Sequence, residues 1–213
     1  MAVTVKKIVV GPLEENCYIV YDPEDPEKKC LIIDPGAGGS RIVNCLKAIR
    51  LRPLDIYLTH GHFDHIMAVD WLLREYPEVT VHAYEAEKAV IDDPEKNMLR
   101  GMDPGGWLSK VFYEKEGKLK LSGIDTEIIF TPGHTEGSSC LYLKDDGILF
   151  SGDTLFYESV GRTDLPSGST SDLRKSVREK LMQLPGNTKV FPGHGDDTEI
   201  EHEKKYNFIM FSF

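Results

Sequence analysis

Clustered positive charge is missing from the sequence. There are 25 Lys and Arg against 35 Asp and Glu, which gives a formal net charge of -10 and a pI near 5.2. Proteins that bind nucleic acid or anionic membrane surfaces need clustered Lys and Arg to replace counterions. The nearest approach to a basic run consists of Arg174, Lys175, Arg178 and Lys180. It is interleaved with Asp172 and Glu179 at helical spacing, as a solvated helix face is. We therefore expect neither nucleic acid nor a membrane as a partner.

Long apolar runs and closely spaced cysteines are also missing. No segment approaches the roughly 20 apolar residues that cross a bilayer, and the opening MAVTVKKIVVGP is typical of a strand rather than of a signal peptide. The cysteines Cys17, Cys30, Cys45 and Cys140 form no C-x-x-C pair. We expect them to be reduced and to act as small buried hydrophobic side chains. These absences predict a cytoplasmic protein and leave its oligomeric state open.

Strand and helix signals alternate over the whole chain. The predicted strands are VTVKKIVV, NCYIVYD, KKCLIIDPG, DIYLTH, VTVHAY, LKLSG, TEIIFTPG, SCLYLKDD, GILFSG and TKVFPG. The predicted helices are RIVNCLKAIR with Ser40 as its N-cap, HIMAVDWLLREY, YEAEKAVIDD and SDLRKSVREKLMQL. Many strands are apolar on both faces, and no linker interrupts the chain. We therefore predict one domain, residues 1–213, in which two packed sheets are covered outside by helices.

Residues 85–117 are the least periodic part of the chain. They include the Gly- and Pro-rich stretch RGMDPGGWLSK. A long irregular segment in a compact domain is often a lid or a wall of a substrate pocket. A mobile surface excursion is the alternative interpretation.

Four of the predicted strands end in the same way. IYLTHGHFDH, EIIFTPGH, ILFSGD and KVFPGHG each run from apolar residues into a small residue and then present His or Asp. A glycine at such a point lets the chain turn sharply, so that the next side chain projects from the edge of the sheet. Together these ends supply five imidazoles and two carboxylates, namely His60, His62, Asp64, His65, His134, Asp153 and His194.

These seven side chains predict a metal centre. Imidazole with carboxylate suits Zn²⁺, Fe²⁺ or Mn²⁺, and seven donors are too many for one tetrahedral ion. His60 and His62 point to the same side of an extended segment, whereas Asp64 and His65 start the next helix and can serve a second ion. An aspartate with two oxygens is suited to bridge the pair. If buried without metal, these groups would cost several kcal/mol; a loop that faces water is the alternative.

Three further polar residues have weaker signals. His82 alternates within VTVHAY and His202 lies among Glu and Lys, so both are expected to be structural or on the surface. Asp34 ends the IIDPG strand. It is a candidate partner that fixes the tautomer of a ligand histidine, with a turn-forming role as the alternative.

The order of the seven residues resembles the metallo-β-lactamase superfamily, whose hallmark is H-x-H-x-D-H followed by separated His, Asp and His. The similarity extends from ENCYIV (residues 15–20) through IIDPG (32–36) to FPGHG (191–195), which is almost the whole chain. The resemblance implies an α+β fold, a four-layer αββα sandwich. It also implies a metal site at one edge, between the two β-sheets.

Within the superfamily, TPGHTEGS, LFSGDTLF and GRTDLPSG are similar to the glyoxalase II-like group. That group contains hydroxyacylglutathione hydrolases and their relatives, the persulfide dioxygenases. Asp153 as a bridging acid favours this group over true β-lactamases. Two features depart from full-length glyoxalase II. The sequence has about 20 residues after His194 where that enzyme has a helical domain, and GRTD at residues 161–164 replaces its Gly-Lys and FYEGT segments. The resemblance is therefore to a short single-domain form.

The resemblance implies a metal-dependent hydrolase of thioesters, S-lactoylglutathione or a related acyl-thiol. Two divalent ions, Zn²⁺ and/or Fe²⁺ with Mn²⁺ as a further option, would share a hydroxide that attacks the thioester carbonyl. Asp64 would both ligate a metal and orient this nucleophile. Arg162 would meet either a substrate carboxylate or an internal acid such as Asp164. Tyr157 and Trp107 are candidates to line the pocket.

Three other functions stay open at this point. A persulfide dioxygenase-like enzyme would hold one Fe(II) with His60, His134 and Asp153, a facial triad that leaves positions for O₂. A lactonase would use a similar dinuclear site. A non-catalytic binding module on the same scaffold would have lost ligands, and none is lost here.

Overall fold

Two mixed β-sheets form the centre of the computed structural model, which describes residues 3–102 and 105–211. The first sheet consists of β1 Thr4–Val10, β2 Glu15–Tyr21, β3 Lys29–Ile33, β4 Arg52–Leu58, β5 Thr80–Tyr84 and β6 Val111–Glu114. These strands lie in sequence order. The pairs from β1 to β3 are antiparallel, and those from β3 to β6 are parallel.

Eight further strands follow in the described chain. They are β7 Gly117–Leu121, β8 Ile124–Phe130, β9 Ser139–Leu143, β10 Ile148–Gly152, β11 Leu155–Phe156, β12 Ser159–Val160, β13 Lys189–Pro192 and β14 Thr198–Glu199. The second sheet has the order β14-β13-β10-β9-β8-β7, and β11 pairs with β12 as a small hairpin. Only β10 and β13 are parallel neighbours in this sheet as described.

Helical segments form the two outer layers. The α-helices are α1 Gly39–Ile49, α2 Phe63–Ile66, α3 Val69–Glu75, α4 Lys88–Ile91, α5 Thr170–Lys175 and α6 Ile200–Tyr206. A π-helical turn, Ser176–Lys180, continues α5. Short 3₁₀ turns lie at Glu85–Glu87, Gly106–Lys110, Leu181–Gln183 and Phe208–Met210.

Alternate side chains of the central strands reach different cores. On β2, Ile19 packs beneath α1 in the outer core of the first sheet, whereas its neighbour Tyr18 packs against Phe150 between the sheets. On β10, Leu149 packs beneath the helical segment that begins with α5. Side chains on both faces are therefore buried, which explains the apolar runs of the sequence. The predicted αββα layering is confirmed.

Two helix predictions need correction. The first helix begins before Ser40, and Gly38, in the left-handed conformation with a φ of 61°, occupies the cap position without a side-chain hydrogen bond. The segment HIMAVDWLLREY forms two short helices, α2 and α3, rather than one. The helix is interrupted because the Ala68 N–H donates to the Pro35 carbonyl, 2.9 Å away, instead of to the preceding helical turn.

The irregular segment 85–117 lies against the first sheet and contributes β6 to it. The Phe63 N–H donates to the Asn97 carbonyl at 2.9 Å, which joins this segment to the start of α2. Trp107 is 2 % exposed and packs in the outer core, so it does not line a pocket, contrary to the prediction. Asp103 and Pro104 of the predicted Gly/Pro loop lie outside the described residues.

All four cysteines are free thiols, and three of them, Cys17, Cys30 and Cys140, are buried. Burial raises the pKa of each of these three thiols. In residues 3–102 and 105–211, no helix is both long and apolar enough to cross a membrane.

His82 lies between two carboxylates on the first sheet. Its Nε2 is 3.1 Å from Asp55 Oδ1, and its Nδ1 is 2.8 Å from Glu114 Oε1. Asp55 also accepts hydrogen bonds from the backbone N–H and the hydroxyl of Ser122. Burial opposes the charged imidazolium, but the hydrogen bonds and charges of Asp55 and Glu114 outweigh it and raise the pKa of His82.

Replacing His82 with Gln should destabilise the fold in a pH-dependent way. The folded-state pKa lies above that of the unfolded chain, about 6.5. The imidazolium therefore stabilises the fold fully below about pH 6.5, and this contribution is lost as pH rises through the raised pKa. We expect a loss of about 1.5–3 kcal/mol at pH 6, which shrinks towards pH 9. Urea unfolding of both proteins across this range measures the difference, and a gap that widened with pH would contradict the prediction.

Candidate metal centre

The four strand ends singled out in the sequence meet at one edge of the two sheets. The Ser139 N–H donates to the Thr59 carbonyl at 3.0 Å, and the Gly193 N–H donates to the Gly152 carbonyl at 2.9 Å. Gly152 has a φ of 48°, and a Cβ there would lie 2.2 Å from Thr59 Oγ1. Glycine therefore allows the end of β10 to turn close beside the end of β4.

The loops gather six of the predicted ligands into two groups. The first group is His60, His62 and His134, and the second is Asp64, His65 and His194. Within each group the donor atoms lie within 4.8 Å of one another. Each half of the H-x-H-x-D-H segment thus meets one of the two distant P-G-H histidines.

Asp153 lies between the two groups. Its Oδ1 is 3.4 Å from His65 Nε2, and its Oδ2 is 3.5 Å from His134 Nε2 and 3.7 Å from His194 Nε2. Burial opposes its ionisation, but the neighbouring imidazoles, His65 first, outweigh burial and hold the pKa of Asp153 below its ordinary range. An anionic carboxylate thus faces both groups of donors.

The Nδ1 atoms of four ligand histidines are engaged by partners behind the site. The contacts are His60 with Thr59 Oγ1 (3.1 Å), His65 with Asp34 Oδ2 (3.0 Å), His134 with the Arg162 carbonyl (2.8 Å) and His194 with the Leu13 carbonyl (3.0 Å). Carbonyl and carboxylate oxygens can only accept, so the nitrogen facing them carries the proton. In the neutral, metal-binding form of His60, His65 and His194 the Nε2 lone pair is then directed at the site, and His134 Nε2 lies 2.8 Å from Nδ1 of the neighbouring ligand His62.

Buried donor atoms without partners indicate that the residues fit a metal. The Nε2 atoms of His60 and His65 and the Oδ1 atom of Asp153 are buried and have no hydrogen-bond partner among the described residues. An unsatisfied buried polar group costs about 1–3 kcal/mol. Burial and neighbouring imidazoles lower the pKa of His60, and lower that of His62 to about 3. Both rings are thus neutral at pH 7, the form that binds metal.

Glu15 is a buried acid behind the site that the sequence reasoning missed. It is 1 % exposed, neither carboxyl oxygen has a hydrogen-bond partner in the part of the chain that the structure describes, and Oε1 lies 3.8 Å from His65 Nδ1. Burial raises its pKa well above the ordinary value. The sequence feature that could have indicated this buried acid is its position directly before the apolar run NCYIVY.

A cavity of about 480 Å³ opens onto the metal-binding groups. Six apolar side chains form much of its wall, namely Leu13, Phe63, Met98, Phe156, Val160 and Leu165. They come from four separate segments of the chain and were not predicted. The irregular segment 85–117 contributes Met98, so this segment supplies part of the pocket wall.

Of the two predicted substrate residues, Arg162 forms the internal ion pair that was the alternative to a substrate contact, and Tyr157 lies away from the cavity. Arg162 does border the cavity, but its guanidinium forms a two-pronged ion pair with Asp164, at 2.7 and 2.8 Å, in solvent. Tyr157 does not border this cavity. Its ring stacks on that of His202, 4.9 Å away, on another surface, and its neighbour Phe156 lines the cavity instead.

Comparison with known proteins identifies the family. A family model described as the metallo-beta-lactamase superfamily matches residues 10–194. The chain belongs to this superfamily. It is 38% identical over 211 residues to the probable metallo-hydrolase YqgX of Bacillus subtilis, covering 98% of both chains. It is 33% identical over 203 residues to the hydroxyacylglutathione hydrolase GloC of Haemophilus influenzae, covering 94% of both chains.

Several solved structures have the same fold as this chain. BLEG-1, a B3 metallo-beta-lactamase, has a TM-score of 0.86 at 33% identity, covering 98% of this chain and 100% of BLEG-1. TTHA1623 in a di-iron-bound form has a TM-score of 0.80 at 33% identity, covering 95% and 98%. ETHE1 from Myxococcus xanthus has a TM-score of 0.78 at 25% identity, covering 99% and 86%.

Replacing Asp34 with Ala should weaken metal binding. Asp34 accepts the Thr59 N–H at 2.8 Å and the Thr59 hydroxyl at 2.6 Å, and it faces His65 Nδ1. Loss of such a partner of a ligand histidine typically lowers metal affinity roughly 10–100-fold. Competition with a chromophoric chelator measures this affinity. The control is Asp55→Ala, which removes a similarly bonded acid beside His82; equal affinities in the two variants would refute the prediction.

Proposed function

We propose that this chain is a metal-dependent hydrolase of thioesters, with S-lactoylglutathione or a related acyl-thiol as substrate. The observation that carries the proposal is Asp153, whose two oxygens face two groups of metal donors at the end of one cavity. This arrangement suits a pair of divalent ions. The similarity to the probable metallo-hydrolase YqgX and to the hydroxyacylglutathione hydrolase GloC supports hydrolysis.

The proposed cofactors are two divalent cations, Zn²⁺ and/or Fe²⁺. The donor set of imidazole and carboxylate suits both metals, and the similarity to TTHA1623 in its di-iron form supports iron. The cations would supply a Lewis acid for the carbonyl oxygen and would bring the pKa of a water molecule towards neutrality. The second cation would be held by Asp153 together with the second donor group, Asp64, His65 and His194.

Asp64 is the proposed residue that orients the attacking water. It is partly exposed, and its Oδ2 lies 3.3 Å from His194 Nε2. Burial opposes its ionisation, but the hydrogen bond from His194 and the nearby His65 outweigh it and lower the pKa of Asp64. It is therefore an acceptor near neutral pH and can hold a water proton while a lone pair of the water oxygen points at the substrate carbonyl.

Thioester hydrolysis needs a good leaving group, which the substrate supplies, and a site that excludes bulk water, which the cavity supplies. Water adds to the carbonyl carbon, the C–S bond breaks, and the departing thiolate takes up one of the two water protons, so that the products are a carboxylate, a thiol and one proton. A thiolate leaves readily because the parent thiol has a pKa of about 8.5, so a dedicated acid is not required. The apolar wall formed by Phe63, Phe156 and Val160 can bury the acyl group and exclude bulk water.

A second candidate function is a persulfide dioxygenase-like reaction at one Fe(II). The observation that favours it is that His60, His134 and Asp153 include two histidines and one carboxylate, with His134 Nε2 and Asp153 Oδ2 3.5 Å apart. Such a set is typical of non-haem iron oxygenases.

One preparation of known metal content separates the two functions. About two metals per chain with hydrolysis of S-lactoylglutathione supports the thioesterase, whereas one iron with oxygen uptake on glutathione persulfide refutes it.

Replacing His65 with Ala should abolish most of the hydrolysis. We expect the metal content to fall from about two ions per chain to about one, and kcat/KM to fall by at least roughly 100-fold, since the lost cation contributes several kcal/mol of charge stabilisation. Atomic emission and a thiol-release assay measure these quantities. His82→Ala, which removes a histidine outside the two groups, is the control. Retained hydrolysis with a single ion would contradict the two-ion proposal.

Replacing Arg162 with Ala should change little. Its guanidinium is exposed and already paired with Asp164, so its contribution to binding an anionic thiol is screened by water. We expect kcat/KM for S-lactoylglutathione to change by less than about 5-fold, because exposed ion pairs contribute little. Asp164→Ala releases the guanidinium and is the paired variant. A loss well above 5-fold for Arg162→Ala alone would assign it a direct substrate contact.

A further inference from the structure

Glu87 is a fully buried acid that lies outside the two donor groups. It ends the 3₁₀ turn that follows β5, and it is 0 % exposed. Its Oε1 accepts the Gly61 N–H at 2.7 Å, and its Oε2 accepts the Thr135 hydroxyl at 2.8 Å. The Gly137 N–H also donates to this carboxyl group. All three donors therefore belong to loops that carry metal ligands.

These donors come from loops of different sheets. Gly61 lies between the ligands His60 and His62 in the loop after β4, whereas Thr135 directly follows His134 in the loop after β8. The three histidines form the first donor group. One carboxyl group thus links the backbone of one loop to the loop that supplies the third imidazole.

Two glycines, Gly61 and Gly137, allow both loops to come close to Glu87. A Cβ on Gly61 would lie 2.7 Å from Ile91 Cγ1, and a Cβ on Gly137 would lie 2.2 Å from the Glu87 backbone nitrogen. Side chains at these positions would push the two loops away from the Glu87 segment. The absence of a Cβ lets both loops approach the carboxyl group within hydrogen-bond distance.

Stability alone does not explain a carboxyl group at this position. Burial raises the pKa of Glu87 to about 8, although the hydrogen bonds from Thr135 and Gly61 oppose this rise. Burying a carboxyl group costs free energy that its hydrogen bonds only offset, whereas an apolar side chain at the same place would carry no such cost. The carboxyl group instead fixes the distance between two loops, because its two oxygens contact the Gly61 N–H and the Thr135 hydroxyl on opposite sides.

We propose that Glu87 is a positioning residue of the metal centre, which holds the His60–His62 loop and the His134 loop together so that their three imidazoles meet at one ion. It touches no ligand side chain in the hydrogen bonds described. Its effect on a bound ion is therefore exerted through the backbone of Gly61 and through Thr135.

The test compares Glu87→Ala with Asp55→Ala, which removes a carboxyl group bonded to a backbone N–H and a hydroxyl far from the donor groups. Affinities for Zn²⁺ and Co²⁺ are measured by competition with a chromophoric chelator, and the melting temperature is measured without metal. We expect both variants to lose stability, but only Glu87→Ala to bind metal roughly 10–100-fold more weakly. The Co²⁺ absorption bands should also change in this variant alone. Equal affinities and equal spectra would overturn the proposal.

A second pair of variants keeps the proposal falsifiable if Glu87→Ala does not fold. Thr135→Val removes the hydroxyl that donates to Glu87, whereas Thr135→Ser keeps it. We expect Thr135→Val to weaken metal binding by several-fold and Thr135→Ser to bind as the wild type does. Indistinguishable affinities in the two variants would refute the role of this contact.

Discussion

The rest of the structure depends on burying charged and polar donor atoms at the edge between two sheets. Asp153 places one carboxylate within 3.4 to 3.7 Å of three imidazole nitrogens, and two of these atoms, Asp153 Oδ1 and His65 Nε2, have no hydrogen-bond partner among the described residues. Groups of this kind are costly to bury unless an ion or hydrogen bonds compensate them. The glycine turns, the helix interruption at Ala68 and the buried acids all serve to bring such groups together.

Two of the buried acids show the same arrangement on the two sides of the site. Asp34 accepts both the N–H and the hydroxyl of Thr59, the residue before His60. Glu87 accepts the hydroxyl of Thr135, the residue after His134. In each case a threonine beside a ligand shares its hydroxyl with an acid of an adjacent segment. The ligand loops are thus fixed by side chains that are themselves buried and hydrogen-bonded, which limits the motion of the imidazoles.

The sequence predicted the layers, and it indicated the candidate donor residues, because both patterns follow from local rules. Strand ends that pass through glycine into His or Asp are visible without knowing the pairing of strands, and apolar runs reveal strands buried on both faces. The features that the sequence did not predict depend on contacts between residues that are distant in the chain. The helix break at Ala68 comes from a hydrogen bond to Pro35, which is distant in sequence. Phe156, the last residue of β11, lines the cavity, whereas Tyr157 lies in the turn before β12 and stacks on His202, and the sequence alone does not reveal where this turn begins.

The wall of the cavity is held by residues that differ from those that hold the metal donors. Glu203, fully buried on α6, accepts the Glu158 N–H at 3.0 Å, and the Asn207 side chain donates to the Ser159 carbonyl at 2.9 Å. These contacts fix the hairpin that carries Phe156 from behind. The same hairpin is joined to the metal donors, because Asp153 shortly precedes β11 and the Arg162 carbonyl, shortly after β12, lies 2.8 Å from His134 Nδ1. A change in α6 that moves the hairpin therefore acts both on the apolar wall and on the position of the donor side chains.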